Sequence, residues 1–469
     1  MSNILLIEPS YKNKYPPLGL MKISSFHKKK GDNVIFFKGC SPELKNFKWD
    51  RIYIASLFTF HWIKTINTIR YYLNSVENTR NIYVGGVMAT LMIEKLEEQF
   101  DINVVSGLLN EEGKIGLNND QMIDSILPDY SIIDQQENKI LDYEYPTKDC
   151  YIAYATRGCI RKCAFCAVPI IEPLFSNSLS IAHQVNAIKK KYGEKRNLLL
   201  MDNNVLASEC FPQIIEEIKN LGFYKGAKYT HEKNGKKITV NRYVDFNQGI
   251  DARLLTIDKM RLFSEIAISP LRIAFDNISD KDIYIEKVRL AAEYKIKVLS
   301  NYILFNFTDT PEDFYERLKI NIVLNQEFEK NGYCTRIWSF PMKYTPVLGE
   351  IALNRKHVGK HWNKKLLRGI QCVLLATHGV VGPKKAFFEE AFGRDVEEFK
   401  RILLMPETFI IRRFENARKA KLLQSRIEKL NKEEKNQLLK IIYKNDFSNI
   451  EELTQNKSIL NILRYYKLK

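Results

Sequence analysis

Three of the eight cysteines fall inside one eight-residue stretch, and their spacing is the strongest chemical signal in the chain. The segment reads Arg157-Gly158-Cys159-Ile160-Arg161-Lys162-Cys163-Ala164-Phe165-Cys166. Three thiolates on one short loop can each ligate one iron of a cubane cluster, leaving the fourth iron open to a small molecule's amine and carboxylate. Zinc is the competing metal. It prefers four ligands in closed sites, no His follows at finger spacing, and Cys150, His183 or Cys210 would have to complete the set. The scattered Cys40, Cys150, Cys210, Cys334 and Cys372 otherwise read as small buried hydrophobes.

A loop that presents three thiols must be held by regular structure. Tyr151–Ala155 directly precedes it and reads as a strand. Leu198–Met201, Val244–Phe246, Leu271–Phe275, Lys297–Phe305 and Arg336–Phe340 read as five more. Helical patterns fill the intervals at Ile181–Tyr192, Pro212–Leu221, Asp258–Ser264, Lys281–Tyr294 and Pro311–Leu324. Strand–helix alternation predicts a parallel sheet, here a partial (β/α)6 barrel over 146–345. Asn234-Gly235 within the interval 224–242 predicts a hairpin. Residues 1–145 alternate in the same way. Strands are expected at Ile4–Ile7, Val34–Phe37, Ile52–Leu57, Ile82–Val84 and Val104–Val105, and helices at Leu18–Lys30, Ile63–Leu73 and Leu91–Phe100. Residues 101–150 carry 11 acidic and 3 basic residues and read as a partly ordered acidic connector.

The C-x3-C-x2-C spacing, with Phe165 before the last cysteine, resembles the signature of the radical S-adenosylmethionine (SAM) superfamily. The resemblance covers roughly 150–345. It implies a [4Fe–4S] cluster on Cys159, Cys163 and Cys166, SAM on the open iron, reductive cleavage of SAM to a 5′-deoxyadenosyl radical, and an electron donor such as flavodoxin or ferredoxin. It places Phe165 beside the adenine. The slot after the second strand, often Gly-Gly-Glu-like in that family, reads Leu200-Met201-Asp202-Asn203-Asn204 here, so Asp202 or Asn203 would accept from the SAM ammonium. Gln248 and Arg253 would reach the ribose or the methionine carboxylate, and Asp276 the ribose hydroxyls. For each of these polar residues the alternative is a strand-end cap or a barrel salt bridge.

Pro16-Pro17-Leu18-Gly19-Leu20, the strand end from Ser56 to Thr59, and Gly85-Gly86 before a helix resemble the cobalamin-binding, Rossmann-like domain that precedes the barrel in one large subgroup. Gly19, Ser56, Thr59, Gly85 and Gly86 would line such a site. The Asp-x-His-x-x-Gly sequence by which some relatives ligate cobalt is absent, and His27 and His61 read as surface or capping residues. Bound cobalamin and a domain kept for packing or substrate docking are the two readings.

Charge is uneven along the chain. Residues 1–350 hold 46 Lys/Arg against 42 Asp/Glu, and residues 351–469 hold 26 against 13, so the last quarter supplies +13 of the net +17. Residues 346–469 read as basic and mostly helical. Arg412, Arg413, Arg418, Lys419, Lys421 and Arg426 form a run with Phe414 interleaved. A solvated helix face and a nucleic-acid contact both account for it. No run of about 18 apolar residues is present, so no membrane-spanning helix is expected. Met1-Ser-Asn-Ile-Leu-Leu-Ile-Glu8 reads as a first strand and not a signal peptide, which predicts a cytoplasmic protein. Sequences of the Gly-x4-Gly-Lys-Ser/Thr and Gly-x-Ser-x-Gly types are missing, which argues against P-loop ATPase and serine hydrolase chemistry.

The expected architecture is thus α/β: a Rossmann-like domain (1–145), a partial barrel (146–345) and a helical basic region (346–469). The function expected first is a radical SAM enzyme, cobalamin-dependent for methylation or rearrangement. The alternatives are a cobalamin-free radical SAM enzyme acting on a nucleic acid or protein, and a non-enzymatic metal-stabilised binding protein.

Overall fold

The computed structural model describes residues 1–177 and 180–467. It is a mixed α/β protein with parallel sheets that divides into two compact units. One comprises Met1–Ser269 with Thr345–His357, and the other Pro270–Tyr344 with Val358–Lys469.

The first unit begins with β1 (Asn3–Glu8), β2 (Asn33–Lys38), β3 (Arg51–Ser56), β4 (Ile82–Gly86) and β5 (Asn103–Val105). They form one parallel sheet in the order β2-β1-β3-β4-β5. Ile4, Leu5, Leu6 and Ile7 of the central β1 are fully buried, which is why this strand reads as an unbroken apolar run. The helices expected here form at Leu18–Lys29, Trp62–Tyr72 and Ile93–Gln99, joined by a short helix, Val87–Leu91, that the sequence reading did not separate. The chain order reverses between β1 and β3. In open parallel sheets that point, at the carboxyl ends of the strands, is where ligands lie.

The acidic stretch 101–150 is more tightly packed than a connector. Ile115, Ile123, Tyr130, Ile132, Ile133, Leu141 and Tyr145 are all buried. Two of its acids are used internally. Asp120 accepts from the amides of Gly113 and Ile115. Asp129 accepts from Ser24, Ser131 and Tyr192 and pairs with Lys28 at 2.8 Å.

Six further strands were expected, and all six form. In the first unit β6 (Cys150–Ala153) leads to the cysteine loop. That loop is bracketed by a two-residue antiparallel ladder of β7 (Thr156–Arg157) with β8 (Ser176–Asn177). β9 (Asn197–Leu200) is followed by the hairpin of β10 (Lys228–Lys233) and β11 (Lys236–Asn241), and then by β12 (Val244–Phe246). β6, β9 and β12 form a parallel sheet in the order β12-β9-β6. Asn234 and Gly235 both have positive φ, +52° and +72°, as a two-residue hairpin turn requires. In the second unit β13 (Leu271–Arg272), β14 (Val298–Phe305) and β15 (Arg336–Lys343) form another parallel sheet in chain order.

The basic carboxyl-terminal region is helical, as expected. One core joins Ile303, Phe314 and Leu318 to Leu367, Ile370, Phe388 and Phe399. A smaller one gathers Phe409, Leu423, Leu438, Ile442, Ile459 and Leu463. No helix among the described residues is long and apolar enough to cross a membrane.

Two expectations about single residues are corrected here. His27 is not a surface group: it is buried between Asp32, 2.8 Å from Nδ1, and the Tyr53 hydroxyl, 3.0 Å from Nε2. Burial, the largest influence, lowers its pKa. Of the scattered cysteines only Cys372 is fully buried, while Cys40, Cys210 and Cys334 are exposed.

Candidate functional site

The cysteine loop leaves the end of β6, and its first residues are fixed by Asp202, two residues beyond β9. Asp202 Oδ1 accepts from the Ala155 amide (3.0 Å), the Thr156 amide (2.5 Å) and the Thr156 hydroxyl (2.7 Å). A strand that ends in the interior leaves amides without a ladder partner, and a buried carboxylate is a strong acceptor for them. Burial outweighs these bonds and pushes the Asp202 pKa up to about 6. Asp202 is one of the two residues expected to accept from the SAM ammonium. Its carboxylate is consumed in closing the strand end, and its residue is 1% exposed.

The next turn is fixed by Glu172, which the sequence reading passed over. Glu172 Oε2 accepts from the Gly158 amide (2.7 Å) and from Asn203 Nδ2 (3.0 Å), and Oε1 meets Arg157 at 2.9 Å. Gly158 has φ +71°, and a Cβ there would lie 2.2 Å from the Leu174 carbonyl oxygen. Only glycine allows the chain to cross the 172–174 segment at this point. The far side of the loop is held by Asp251, which Arg161 (3.0 Å) and Arg253 (2.7 Å) share. Those two guanidiniums overcome burial and lower the Asp251 pKa.

Cys159, Cys163 and Cys166 are all half-buried. Cys159 Sγ accepts from the Arg161 amide at 3.3 Å and Asn204 Nδ2 at 3.5 Å, and Cys166 Sγ accepts from the Val168 amide at 3.4 Å. Donors aimed at sulfur stabilise thiolates and set the potential of an iron–sulfur cluster. Among the described residues no group of three or more His, Cys, Asp or Glu side chains stands gathered around a metal position. What the fold supplies is the braced loop, its three thiols and the donors directed at them. That donor set fits an iron–sulfur cluster. None of the three residues that could complete a zinc set is gathered with it: Cys150 lies on β6, and His183 and Cys210 are exposed.

The remaining SAM candidates are placed as follows. Phe165 is half-buried on the loop, and Gln248 is exposed in the turn after β12. Asn203 is bound to Glu172 and Arg253 to Asp251. Asp276 follows β13 in the second unit, half-buried. Asn204, beside Asn203, has the better placement. It is 3% exposed, its Nδ2 touches Cys159, and its Oδ1 is buried with no partner. An unpaired buried acceptor suits an N–H donor. The signal was in the sequence, as the third polar residue of the slot, but nothing in the pattern ranked it above its neighbours.

Of the residues offered for cobalamin, Ser56, Gly85 and Gly86 make contacts within the sheet. Gly86 has φ +103°, and a Cβ there would lie 2.2 Å from the Ser56 carbonyl oxygen, so this glycine serves the approach of β4 to β3. The Ser56 hydroxyl donates to the Gly85 carbonyl (2.8 Å) and accepts from the Ala89 amide (2.9 Å). Thr59 is buried at the start of a 3-10 turn, Gly85 lies in ordinary contact with Val105, and Gly19 opens the helix Leu18–Lys29 with free space around it. At the end of β1, Glu8 is 3% exposed and binds Lys38, Asn13 and the Tyr145 hydroxyl. The Lys38 ammonium also faces the rings of Tyr143 and Tyr145, at 4.4 and 5.2 Å. Beyond β3, Phe60 is covered by Arg355 at 4.0 Å. Ala167, Ile171, Val347 and Leu353 pack against the core of this sheet. Beyond β3 and β4, Phe58 and Gly86 remain exposed.

No family model and no curated protein matches this chain. Among solved structures, one similar to it is a cobalamin-dependent S-adenosylmethionine radical enzyme, OxsB, with aqua-cobalamin bound. The TM-score is 0.46 at 12% identity, over 75% of this chain and 54% of that one. The chain therefore spans about half the length of that enzyme.

Proposed function

We propose that this chain is a radical SAM enzyme. The observation that carries the reading is the braced C-x3-C-x2-C loop at the end of a parallel strand, with N–H donors on Cys159 and Cys166. Cys159, Cys163 and Cys166 would hold a [4Fe–4S] cluster. Bound there, such a cluster supplies one electron to the sulfonium of SAM, whose C–S bond breaks to give methionine and a 5′-deoxyadenosyl radical. The chain's part is to bind and to orient. Asn204 Oδ1 accepts from the SAM ammonium, and Phe165 offers a ring to the adenine. Asp202, Glu172 and Asp251 keep the loop from shifting. A radical that abstracts hydrogen from unactivated carbon needs such rigidity, because a displaced reacting atom loses orders of magnitude in rate.

Anaerobic reconstitution with iron and sulfide tests the reading. The expected product is brown, holds about four irons per chain, and forms 5′-deoxyadenosine from SAM when reduced. Alanine at Cys159, Cys163 or Cys166 abolishes this, and alanine at the exposed Cys40 or Cys334 does not. Stoichiometric zinc without iron uptake would replace this reading with that of a metal-stabilised binding protein.

A further inference from the structure

The helix Ala417–Glu428 buries one residue, Leu423, with Ala420 and Ile427 partly covered on the same stripe. Its other faces show Arg418, Lys419, Lys421 and Arg426, all exposed. Its one carboxylate, Glu428, sits in the last position and accepts from Gln424. Arg418, Lys419, Lys421, Arg426 and Arg464 enter no ion pair among the described residues. Beside this helix lies the helix Lys457–Leu463, and a cleft of about 380 Å³ there is lined by Arg426, Asn461, Arg464 and Tyr465. The Arg426 guanidinium stands 5.4 Å from the Tyr465 ring. Just before the basic helix, Phe414 is 83% exposed. The basic run read from the sequence is divided by the structure. Arg413 turns inward to the Ala391 carbonyl at 3.2 Å, so it belongs to the body of the unit and not to the face.

The arrangement is therefore an exposed ring, a cationic helix about 18 Å long at 1.5 Å per residue, and a cleft with two guanidiniums and a phenol. Arginines without a carboxylate partner match phosphate oxygens in a planar, two-pronged way. Exposed rings interleaved with cations are what unstacked bases require. An acidic protein would satisfy the charge but gives no use to Phe414. We propose that this face binds a nucleic-acid strand, with phosphates on Arg418, Lys421, Arg426 and Arg464 and a base stacked on Phe414. The proposal goes beyond the radical SAM reading and does not rest on it.

Fluorescence anisotropy on the full chain tests it, with 5′-labelled 20-nucleotide RNA and DNA strands at 50 and 150 mM KCl and neither iron nor SAM present. The wild type is expected to bind, with a log–log salt slope of about −0.7 per phosphate contact. Changing Arg418, Lys421, Arg426 and Arg464 together to Ser weakens binding at least tenfold and flattens the slope by about two to three. Phe414→Ala weakens it about five- to hundred-fold and leaves the slope unchanged. A control removing three cations elsewhere, Lys233, Lys236 and Lys237→Ser, changes little. The proposal is overturned by no wild-type binding at 50 mM, by a quadruple variant that binds like the wild type, or by a control that loses as much. Competition by polyglutamate equal to that by RNA overturns it too and assigns the face to an acidic protein. Because the assay is free of cluster and SAM, each of these outcomes leaves the cysteine-loop reading standing.

Discussion

Replacing Asp202 with alanine removes the acceptor that two buried amides and one hydroxyl share. Ala155 and Thr156 are 5% and 0% exposed, so water does not take the carboxylate's place. Each orphaned buried amide costs about 1–3 kcal/mol, and the Thr156 hydroxyl can rotate away, giving a gross penalty of about 4 kcal/mol for the pair. The ionised carboxylate is itself disfavoured by burial. A pKa of about 6 against a reference of 3.8 corresponds to about 3 kcal/mol at neutral pH. The pH dependence separates these two contributions. The folded pKa lies above the unfolded one, so the native state keeps a proton that the unfolded chain has lost. The stability from this group is complete below about pH 4, falls as the pH rises to about 6, and is flat above. Asp202→Asn keeps an Oδ1 acceptor without a charge. Relative to wild type it should gain stability by up to about 3 kcal/mol between pH 4 and 7. Asp202→Ala should be clearly destabilised at pH 4.5 and much less so at pH 7.5. Urea unfolding of the three proteins, prepared without iron, measures this. Iron uptake is the second readout: the alanine variant, with the root of the loop released, should incorporate less than half the wild-type iron, and the asparagine variant a full complement. Full iron in Asp202→Ala, or an asparagine variant with the wild-type pH slope, refutes the role given to this residue.

Gly158→Ala forces Leu174 or the loop to move and should abolish stable iron incorporation while leaving the far-UV circular dichroism unchanged. Asn204→Leu removes the unpaired acceptor and should weaken SAM binding about tenfold or more, at the 1.5–3 kcal/mol of a hydrogen bond to a charged group, as read by calorimetry on reconstituted protein. At Asp129, burial alone would raise the pKa, but Lys28, Ser131 and Ser24 outweigh it and bring it to about 2. Its contribution of about 2 kcal/mol is present above pH 4 and lost as the pH falls towards 2. Asp129→Asn should therefore unfold at lower urea than wild type at pH 7 and converge with it near pH 2.

The strands were legible because β1 and β3 bury apolar runs, and the helices because their buried positions recur with the helical period. The hairpin was legible from two residues, since Asn234 and Gly235 tolerate positive φ. The polar residues at the strand ends could be named from the sequence, but their partners could not. Asp202 and Asn204 are chemically similar and two positions apart. One faces backbone amides and the other faces sulfur, and only the path of the chain after β6 decides which. Glu172 had no pattern to mark it beyond being a lone acid among Val168, Ile170 and Ile171. The acidic stretch 101–150 read as loosely ordered because its composition is poor in long apolar runs. Its order comes from isolated buried residues and from carboxylates turned onto nearby amides, neither of which has a period. His27 was misread because its partner Asp32 lies past the end of its helix, out of reach of any helical spacing rule.

The segment Thr345–His357 belongs to the first unit although 75 residues of the second, Pro270–Tyr344, precede it in the chain. Ala352 is fully buried in the core that also holds Ile54 and Val84, Glu350 pairs with Lys95, and Arg355 covers Phe60. During synthesis the amino-terminal sheet can form early, but the unit that carries the cysteine loop lacks this plug until residue 357 has left the ribosome. Domains otherwise tend to complete in order from the amino terminus. A nascent chain paused before that point would leave the place of Ala352 unfilled and the face of Phe60 that Arg355 covers open. No single cut in the chain yields both units whole. A truncation at 345 to obtain the iron–sulfur unit alone would produce a protein missing part of its own interior.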